Sequence, residues 1–472
     1  MKNILTGILT FQMCATTFAA TIGNIDISTN ADGFVVVTYS LDSDAIVTAD
    51  LKSKGVSLGG ERQWSLSGDV FKLVSAGSGK KITWNPEQDI PDTELTDVTV
   101  ELKAWTESDA PDYMVAELLQ VSDCRIRYYP SADFLPGGIV SNEYYRLQSL
   151  VFRKIRAKNV EWTMGTTSEP GRSTSGNEEA HTVNLDRNYY MAVFETTKAQ
   201  GEAVGSTRNA TSPHANTSRW RLTPIGRSPW NNWRGTMPPS EPSTGSILGK
   251  FSSRTGLKVD LPTEAQWEFA ARGGHEEGSW GDGSKILKKK DAEDVNLTRL
   301  AIYKYNIAEM TETGTCSTNS YGLYDMHGNV AEFCQDWYQP DITGLNGALC
   351  VHPDDCTLRA NGIPGTNRVV RGGYWSYNPM YVRASYRGHS VGPGEYKSEM
   401  GGRMMTFANL GEEIEPTVAV SQNAISKIDT RKNRTCSAIS DAAVELRTVH
   451  TFSSDAFALD TLTPKGLAFV LR

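Results

Sequence analysis

The stretch Tyr321–Tyr338, which reads YGLYDMHGNVAEFCQDWY, decides the fold of this 472-residue chain. Two further blocks flank it: LPTEAQWEFAARGG at Leu261–Gly274 and RVVRGGYWSYNPMYVRASYR at Arg368–Arg387. Each block combines aromatic residues, glycines and charged side chains. Three such blocks in one chain are hard to produce by chance, so they predict a single folded domain that contains all of them.

Together, the three blocks resemble the formylglycine-generating family, also called the sulfatase-modifying factors. The resemblance covers residues 146–410, because Met164-Gly165-Thr166 is similar to a turn of the family and Met191–Gln200 to its strand-to-helix entry. It implies a compact α+β fold that is rich in coil and related to C-type lectins. Fold alone does not settle function.

A glycine turn between two carboxylates lies in the central block. Ca²⁺ takes about six to eight hard oxygen ligands, and such a turn presents side-chain and main-chain oxygens to one point. The resemblance implies a calcium site with the carboxylates of Asp325 and Glu332 and the backbone oxygens of Gly328 and Val330. The alternative is a turn whose carboxylates are solvated or paired with cationic side chains.

The family's oxidase binds copper(I) through two cysteines that follow an Arg-Gly-Gly motif, and oxygen then converts a substrate cysteine to formylglycine. Here Arg371-Gly372-Gly373 is intact, but Tyr377 and Val382 occupy the two cysteine positions. Oxygen ligands replace soft thiolates poorly. We therefore expect neither copper nor formylglycine-generating activity. The alternative is an oxidase, of this or another kind, that uses unrecognised ligands.

Aromatic and cationic side chains surround the positions of the missing cysteines. Tyrosine and arginine together suit ligand recognition, because rings offer flat surface and guanidinium groups offer directed donors. We predict a pocket for a protein, peptide or glycan, with core packing as the alternative for part of the rings. The candidate pocket residues are Trp375, Tyr377, Tyr381, Arg383, Arg387 and Arg403.

Net charge, histidine spacing and hydropathy argue against several other functions. The net charge of -8 argues against a nucleic-acid-binding protein, which usually has a basic face. None of the seven histidines shows the HxxxHxE spacing of the related iron enzymes, so a helical iron or zinc site is not expected. The sequence also lacks the apolar run of about 20 residues that a membrane-spanning helix needs.

The first 20 residues, MKNILTGILTFQMCATTFAA, are typical of a secretory signal peptide. They combine an early lysine, a short apolar core and a small-residue end. We therefore expect export to the periplasm, the cell surface or the medium. An oxidising compartment permits disulfides, and Cys350 and Cys356, which flank a short segment, are the best candidates for one.

Two β-rich regions are predicted around the central domain. Residues 21–120 alternate apolar and polar side chains, as at Val98–Trp105, which is typical of a small β-sandwich of immunoglobulin or fibronectin-III type. Residues 121–145, rich in Tyr, Pro, Ser and Gly, indicate a linker, and residues 411–472 indicate a small β-rich extension. A purely structural role at the cell surface is a third functional hypothesis.

Two helix starts are predicted inside the central domain. Thr197 and Thr263 are each followed three residues later by glutamine, Gln200 and Gln266. At this spacing each side chain can satisfy an orphan backbone donor of the first turn. Gly273-Gly274 predicts the end of the second helix, because glycine readily adopts the left-handed conformation found there.

Overall fold

The computed structural model describes residues 19–119, 125–206, 221–287, 292–307, 309–344, 365–395, 398–407, 410 and 413–431. The described chain is rich in β-strands and has few helices, all of them short. No described helix combines the length and the apolar character needed to cross a bilayer. The candidate disulfide, Cys350 and Cys356, and residues 1–18 of the predicted signal peptide lie outside the described residues.

Strands account for most of the regular structure. In chain order they are β1 (Ile22–Thr29), β2 (Val35–Leu41), β3 (Ala45–Ser53), β4 (Val56–Ser57), β5 (Ser67–Gly68), β6 (Lys72–Val74), β7 (Gly77–Trp84), β8 (Glu94–Trp105), β9 (Tyr113–Glu117), β10 (Ile126–Tyr129), β11 (Ser149–Ile155), β12 (Glu161–Met164), β13 (His181–Asn184), β14 (Tyr189–Ala192), β15 (Val259–Asp260), β16 (Ala301–Ile302), β17 (His327–Gly328), β18 (Ala331–Trp337), β19 (Arg368–Arg371), β20 (His389–Val391), β21 (Met400–Gly401), β22 (Met405–Thr406), β23 (Thr417–Val420) and β24 (Ile425–Asp429). The helices are α1 (Pro86–Asp89), α2 (Tyr144–Leu147), α3 (Lys198–Ala203), α4 (Trp230–Arg234), α5 (Ile247–Thr255), α6 (Glu264–Ala271) and α7 (Val295–Thr298).

Two antiparallel sheets form the N-terminal region. One has the strand order β1-β2-β7-β5, and the other has β23-β8-β3-β4 with β24 also on β8 and β6 on β3. The predicted alternation along β8 is confirmed, since Val98, Val100, Leu102 and Ala104 are buried and the side chains between them are partly exposed. Both sheets contribute side chains to one apolar core.

After the central domain, the chain returns to the N-terminal region. Strands β23 and β24 both pair antiparallel with β8, so that Thr417 faces Ala104 and Ile425 faces Val98. The β-rich extension predicted at 411–472 therefore adds strands to the N-terminal sheet over its described part. The cause is the length of β8, whose 12 residues offer room for two short partners on one edge.

The segment predicted as a linker, 121–145, contributes to the central sheet where it is described. Strand β10 pairs with β9, and β9 pairs with β11 of the central domain. The prediction missed this because it was based on the richness of the segment in Tyr, Pro, Ser and Gly. Tyr128 and Tyr129 within it are nevertheless buried strand residues.

A four-stranded sheet brings the three sequence blocks together in the central domain. Its order is β20-β19-β18-β21, with Glu332 of the central block opposite Arg371 of the third block. Helix α6 of the first block contacts both β18 and β19. The central domain also contains strands of a six-stranded sheet of order β10-β9-β11-β14-β22-β15.

Both predicted helix starts are confirmed. Thr197 and Thr263 accept hydrogen bonds from the backbone N–H groups of Gln200 and Gln266, and each glutamine side chain accepts from the backbone of its threonine. Helix α6 ends before Gly273, whose φ is 63°, as the glycine pair predicts.

Candidate functional site

The loop 325–330, which contains β17 and leads into β18, includes three left-handed residues. The φ angles of Asp325, Gly328 and Asn329 are 58°, 87° and 54°. A Cβ atom at Gly328 would lie 2.0 Å from the carbonyl oxygen of Ile302, because β17 runs parallel to β16 at this point. Glycine is therefore required at position 328, and the tight turn brings its flanking carboxylates into the interior.

The first of these carboxylates, Asp325, is buried with one oxygen bound and one oxygen unbound. Its Oδ2 accepts hydrogen bonds from Thr313 Oγ1 and from the backbone N–H of Gly314, both at 2.7 Å. Its Oδ1 has no hydrogen-bond partner among the described residues. Burial raises the pKa of Asp325 above its ordinary value, since a buried carboxylate is costly to ionise.

The second carboxylate, Glu332, forms a buried ion pair with Arg403. Arg403 Nη2 lies 2.8 Å from Glu332 Oε1, and Arg403 Nε lies 3.1 Å from both carboxylate oxygens. Trp267 Nε1 also donates to Oε2 at 2.6 Å. Both oxygens of Glu332 therefore already accept hydrogen bonds. For this residue, the arrangement matches the alternative to a calcium site, in which the carboxylate is paired with a cationic side chain.

A third buried carboxylate, Glu195, belongs to this site and was missed by the sequence prediction. Its Oε1 accepts from the backbone N–H of Val330 at 3.0 Å, and its Oε2 accepts from Asn329 Nδ2 at 2.6 Å. Burial, followed by the nearby carboxylates of Asp325 and Glu332, raises the pKa of Glu195 well above its ordinary value. The available signal was one glutamate in the otherwise apolar run MAVFE.

The charge balance of this cluster bears on the predicted calcium ion. Three buried carboxylates, Glu195, Asp325 and Glu332, face the guanidinium groups of Arg403 and Arg146. Three carboxyl groups thus share two guanidinium groups, which fits the raised pKa of Glu195 and of Asp325. Over the described part of the chain, no three acidic, histidine or cysteine side chains converge as a metal site. A calcium ion here would depend on backbone carbonyls and on the unbound Oδ1 of Asp325.

Four tyrosine rings form a continuous row directly after the Arg-Gly-Gly motif. Ring centroids are 3.7 Å apart for Tyr374 and Tyr377, 5.6 Å for Tyr377 and Tyr381, and 5.3 Å for Tyr381 and Tyr386. All four rings are partly exposed. Burial raises the pKa of Tyr377 and of Tyr386, so both hydroxyls stay protonated at neutral pH. We call these four residues the tyrosine row.

The predicted pocket residue Trp375 lies between this row and the loop. Its side chain is partly exposed, and its backbone N–H donates to the carbonyl of Asn329 at 3.2 Å. Gly373 makes the turn possible, because a Cβ there would lie 2.4 Å from the carbonyl oxygen of Tyr381. Trp375, Tyr377 and Tyr381 are each partly exposed, and the rings of Tyr377 and Tyr381 are in contact.

The two positions that hold cysteines in the oxidase differ in environment. Tyr377 packs against neighbouring rings of the tyrosine row, whereas Val382 is fully buried among Trp280, Leu297 and Tyr303. Neither side chain offers a soft ligand. The positions are therefore used for contacts between rings and for core packing.

The three arginines predicted for the pocket do not line it. Arg383 pairs with Glu169 and Glu178 at 2.9 and 3.0 Å, and Arg387 pairs with Glu264 at 2.6 Å. Both guanidinium groups are buried, as is that of Arg403. The prediction of these residues as ligand contacts is corrected, because interior carboxylates already bind them. The sequence could not show the pairing, since the partners are distant along the chain.

The fold and site define a member of a known class. The family described as the sulfatase-modifying factor enzyme 1-like domain matches residues 156–407. The chain belongs to this family, as its three sequence blocks predict.

Several curated proteins share part of this domain. A serine/threonine-protein kinase pkn1 of Chlamydia pneumoniae is 35% identical over 143 residues, which are 30% of this chain and 20% of that protein. The formylglycine-generating enzyme of Thermomonospora curvata is 37% identical over 127 residues, 26% of this chain and 40% of the enzyme. The inactive Cα-formylglycine-generating enzyme 2 of Mus musculus is 35% identical over 107 residues, 20% of this chain and 32% of that protein. The chain thus spans less than half the length of these relatives.

Solved structures show weaker likeness. The Treponema denticola variable protein 1 is 23% identical with a TM-score of 0.41, over 55% of this chain and 95% of that chain. PvdO from Pseudomonas aeruginosa is 19% identical with a TM-score of 0.42, over 54% of this chain and 94% of that chain.

Proposed function

We propose that this chain is a member of the family without oxidase activity, which binds a protein, peptide or glycan on the tyrosine row. The observation that carries the proposal is the pair of residues at the copper-cysteine positions. Val382 is buried in the core, and the ring of Tyr377 packs against those of Tyr374 and Tyr381. A soft metal ion would find no thiolate at either position.

The properties of the described cysteines also support the absence of copper chemistry. Copper(I) is bound by the thiolate form. Burial raises the pKa of Cys316 to about 12 and raises the pKa of Cys334 well above its ordinary value. Both thiols are therefore protonated at neutral pH. The alternative, an oxidase that uses non-standard ligands, would have to overcome the free-energy cost of deprotonating these buried thiols.

The surface around Trp375 and the tyrosine row supports ligand binding. Partly exposed aromatic rings with polar ends contribute binding surface at a low entropy cost. The four rings pack against one another in tilted and edge-on arrangements, which keeps them in place before a ligand arrives. Because the arginines beneath are engaged in the interior, we expect recognition by ring faces and hydroxyl groups instead of by guanidinium groups.

Ligand binding can be tested by screening the purified protein against peptide and glycan arrays. The double variant Trp375→Ala/Tyr377→Ala should reduce binding of any ligand found by at least tenfold, with a far-UV spectrum like that of the wild type. The matched control is Val160→Ala, an apolar side chain that is 39% exposed outside the tyrosine row. Full binding by a folded double variant would contradict the proposed surface.

We also propose that calcium supports the loop beside this surface. The unbound Oδ1 of Asp325 and the backbone oxygens of Gly328 and Val330 would hold the ion, whereas both oxygens of Glu195 already accept hydrogen bonds. Glu332, predicted as a ligand, already has both oxygens bound by donors. A bound calcium ion would supply positive charge to carboxylates that are otherwise in excess, and hard oxygens suit it.

The calcium proposal is tested by thermal unfolding in calcium and in EDTA. At a calcium concentration 100 times the Kd, the native state should gain about 2.7 kcal/mol. Asp325→Asn should abolish the gain, whereas Asp341→Asn, on a mostly exposed loop, should keep it. Equal melting temperatures of the wild type in calcium and EDTA would contradict the proposal.

Export and the type of the N-terminal fold are further proposals. The composition of the first 20 residues supports export.

Two antiparallel sheets that share one core support a sandwich of immunoglobulin or fibronectin-III type, which would act as a spacer or docking module. A purely structural role at the cell surface would fit the same features, and the array experiment distinguishes it from ligand binding.

A further inference from the structure

A cavity in the N-terminal region lies apart from the tyrosine row. It is located where β5 and the turn Gly60–Arg62 face β10 and the turn Ala132–Phe134, and its volume is about 420 Å³. This volume falls within the range of about 300–1,000 Å³ that is typical of ligand pockets. Its wall contains aromatic and apolar side chains, namely Trp64, Leu66, Phe71, Tyr129, Phe134 and Pro136. We call this cavity the N-terminal cleft.

Phe71 occupies an unfavourable backbone conformation in the wall of the cleft. Its φ is 57°, in the left-handed region that a bulky aromatic residue rarely adopts. Its N–H donates to the carbonyl of Val47 in β3 at 2.6 Å, and its carbonyl accepts from the N–H of Tyr128 in β10 at 2.8 Å. The strained residue is therefore fixed between two strands. Backbone strain of this kind concentrates at binding and active sites.

The walls of the cleft are fixed relative to one another before any ligand binds. The rings of Phe71 and Tyr129 pack with centroids 4.9 Å apart, and both residues are buried. A Cβ atom at Gly60 would lie 2.0 Å from the carbonyl oxygen of Asp133, so the two turns approach as closely as their backbones allow. The cleft therefore costs little conformational entropy when it receives a ligand.

The polar side chains of the wall, apart from Trp64, interact with the protein itself. Gln63 uses both ends of its amide, because Oε1 accepts from a backbone N–H at 2.8 Å and Nε2 donates to a carboxylate at 3.0 Å. The hydroxyl of Ser67 donates to a backbone carbonyl at 3.4 Å. Arg127 and Tyr129 also have partners within the protein. A charged ligand would therefore find no free counter-charge among the described residues of the wall.

Trp64 differs from these side chains. Its indole N–H has no hydrogen-bond partner among the described residues, and its side chain is 37% exposed. An indole donates a hydrogen bond but does not accept one. Phe134, on the facing turn, is also partly exposed. The wall thus offers two accessible rings and a free donor, which match a ligand that has an apolar ring next to a carbonyl acceptor.

We propose that the N-terminal cleft binds a proline-containing segment of a partner peptide in the extended polyproline II conformation. A proline residue has an apolar ring, a carbonyl acceptor and no N–H donor. The ring would pack on Trp64 and Phe134, and a carbonyl of the segment would accept a hydrogen bond from Trp64 Nε1. Aromatic-lined sites recognise such segments, which are already extended before they bind and so lose little entropy.

The same hydrogen-bonding inventory disfavours a neutral sugar. Each sugar hydroxyl is both a donor and an acceptor, and a buried hydroxyl without a partner costs free energy. The side chains of the wall offer the single free donor of Trp64 to several such hydroxyls. The cleft shares no residue with the tyrosine row, so the proposal is independent of the ligand that binds there.

The test is calorimetric titration of the purified full chain with decaproline and with a Gly-Ser peptide of the same length, both capped at their ends so that they carry no charge. Decaproline should bind, and the Gly-Ser peptide should bind at least tenfold more weakly, because it is flexible and brings N–H donors that find no partner. Trp64→Ala should weaken binding of decaproline at least tenfold. Trp64→Phe, which keeps a ring but lacks the donor, should have an affinity between those of the wild type and Trp64→Ala. The matched control is Val418→Ala, which is 52% exposed outside the cleft and should bind like the wild type.

Three results would overturn the proposal: no binding of decaproline by the wild type, equal affinity of the wild type for the two peptides, or unchanged affinity in a folded Trp64→Ala variant. In the last case, loss of binding in Trp375→Ala/Tyr377→Ala would show that the peptide lies on the tyrosine row instead. Should Trp64→Ala fail to fold, Phe134→Ala takes its place, with the same expected loss and the same contrary result. Maltohexaose is titrated in parallel, and its binding in the absence of decaproline binding would identify a sugar site.

Discussion

Replacement of Arg403 by methionine should lower the free energy of unfolding by about 3–5 kcal/mol, which is typical of breaking a buried ion pair. Its Nη2 lies 2.8 Å from Glu332 Oε1, and both side chains are almost completely buried. At an effective dielectric constant of about 20, unit charges at this distance attract by about 6 kcal/mol. The carbonyls of Ala192, Val193 and Tyr324 would also lose their donor.

Urea unfolding measures this loss through the shift in midpoint at constant slope. The matched control is Lys258→Met, because Lys258 pairs with Glu241 at a similar distance of 2.6 Å on the surface, with exposures of 86% and 70%. That variant should change stability little. An Arg403→Met variant as stable as the control would refute the structural role of Arg403 and restore it as a candidate ligand contact.

Three more predictions concern single residues. Gly328→Ala should lower the stability in urea by more than about 1–3 kcal/mol, which is the cost of the strained φ alone, because the carbonyl oxygen of Ile302 also blocks a Cβ atom at this position. The control Gly344→Ala has a similar φ of 78° but open space around the Cβ position, so it should cost less. Equal losses of stability in the two variants would contradict the clash. Thr263→Ala should cost about 1 kcal/mol through the lost N-cap, and an unchanged urea midpoint would contradict it. The rate of alkylation of Cys316 should rise about tenfold per pH unit from pH 7 to 9, because only the thiolate reacts and burial raises the pKa of Cys316 to about 12. A rate that levels off in this pH range would contradict the burial of the thiol.

Local signals explain what the sequence predicted correctly. The capping boxes at Thr197 and Thr263 and the alternation along β8 depend on residues a few positions apart, so they are visible without tertiary contacts. The three sequence blocks identified the family because each one combines a glycine turn with charged partners. Their meeting in one sheet through Glu332 and Arg371 follows from the family fold.

Long-range pairing explains what the sequence missed. Arg383 is paired with Glu178, more than 200 positions earlier in the chain, and nothing local distinguishes such an arginine from one that faces a ligand. Glu195 is likewise brought close to Asp325, which lies 130 positions later in the chain. The return of β23 to β8 was also invisible, because an edge strand does not specify its partner in its own sequence.

The measurement that tests the central claim most directly is an oxidation assay on the purified protein. The protein is incubated with copper, calcium, oxygen, a reductant and a Cys-x-Pro-x-Arg peptide, and mass spectrometry follows conversion of the cysteine to the aldehyde. An active formylglycine-generating enzyme serves as the positive control, and copper without protein serves as the background. The structure of the Tyr377 and Val382 positions predicts no conversion above background. Conversion above background would contradict the account and direct attention to Cys316 and Cys334 as metal ligands.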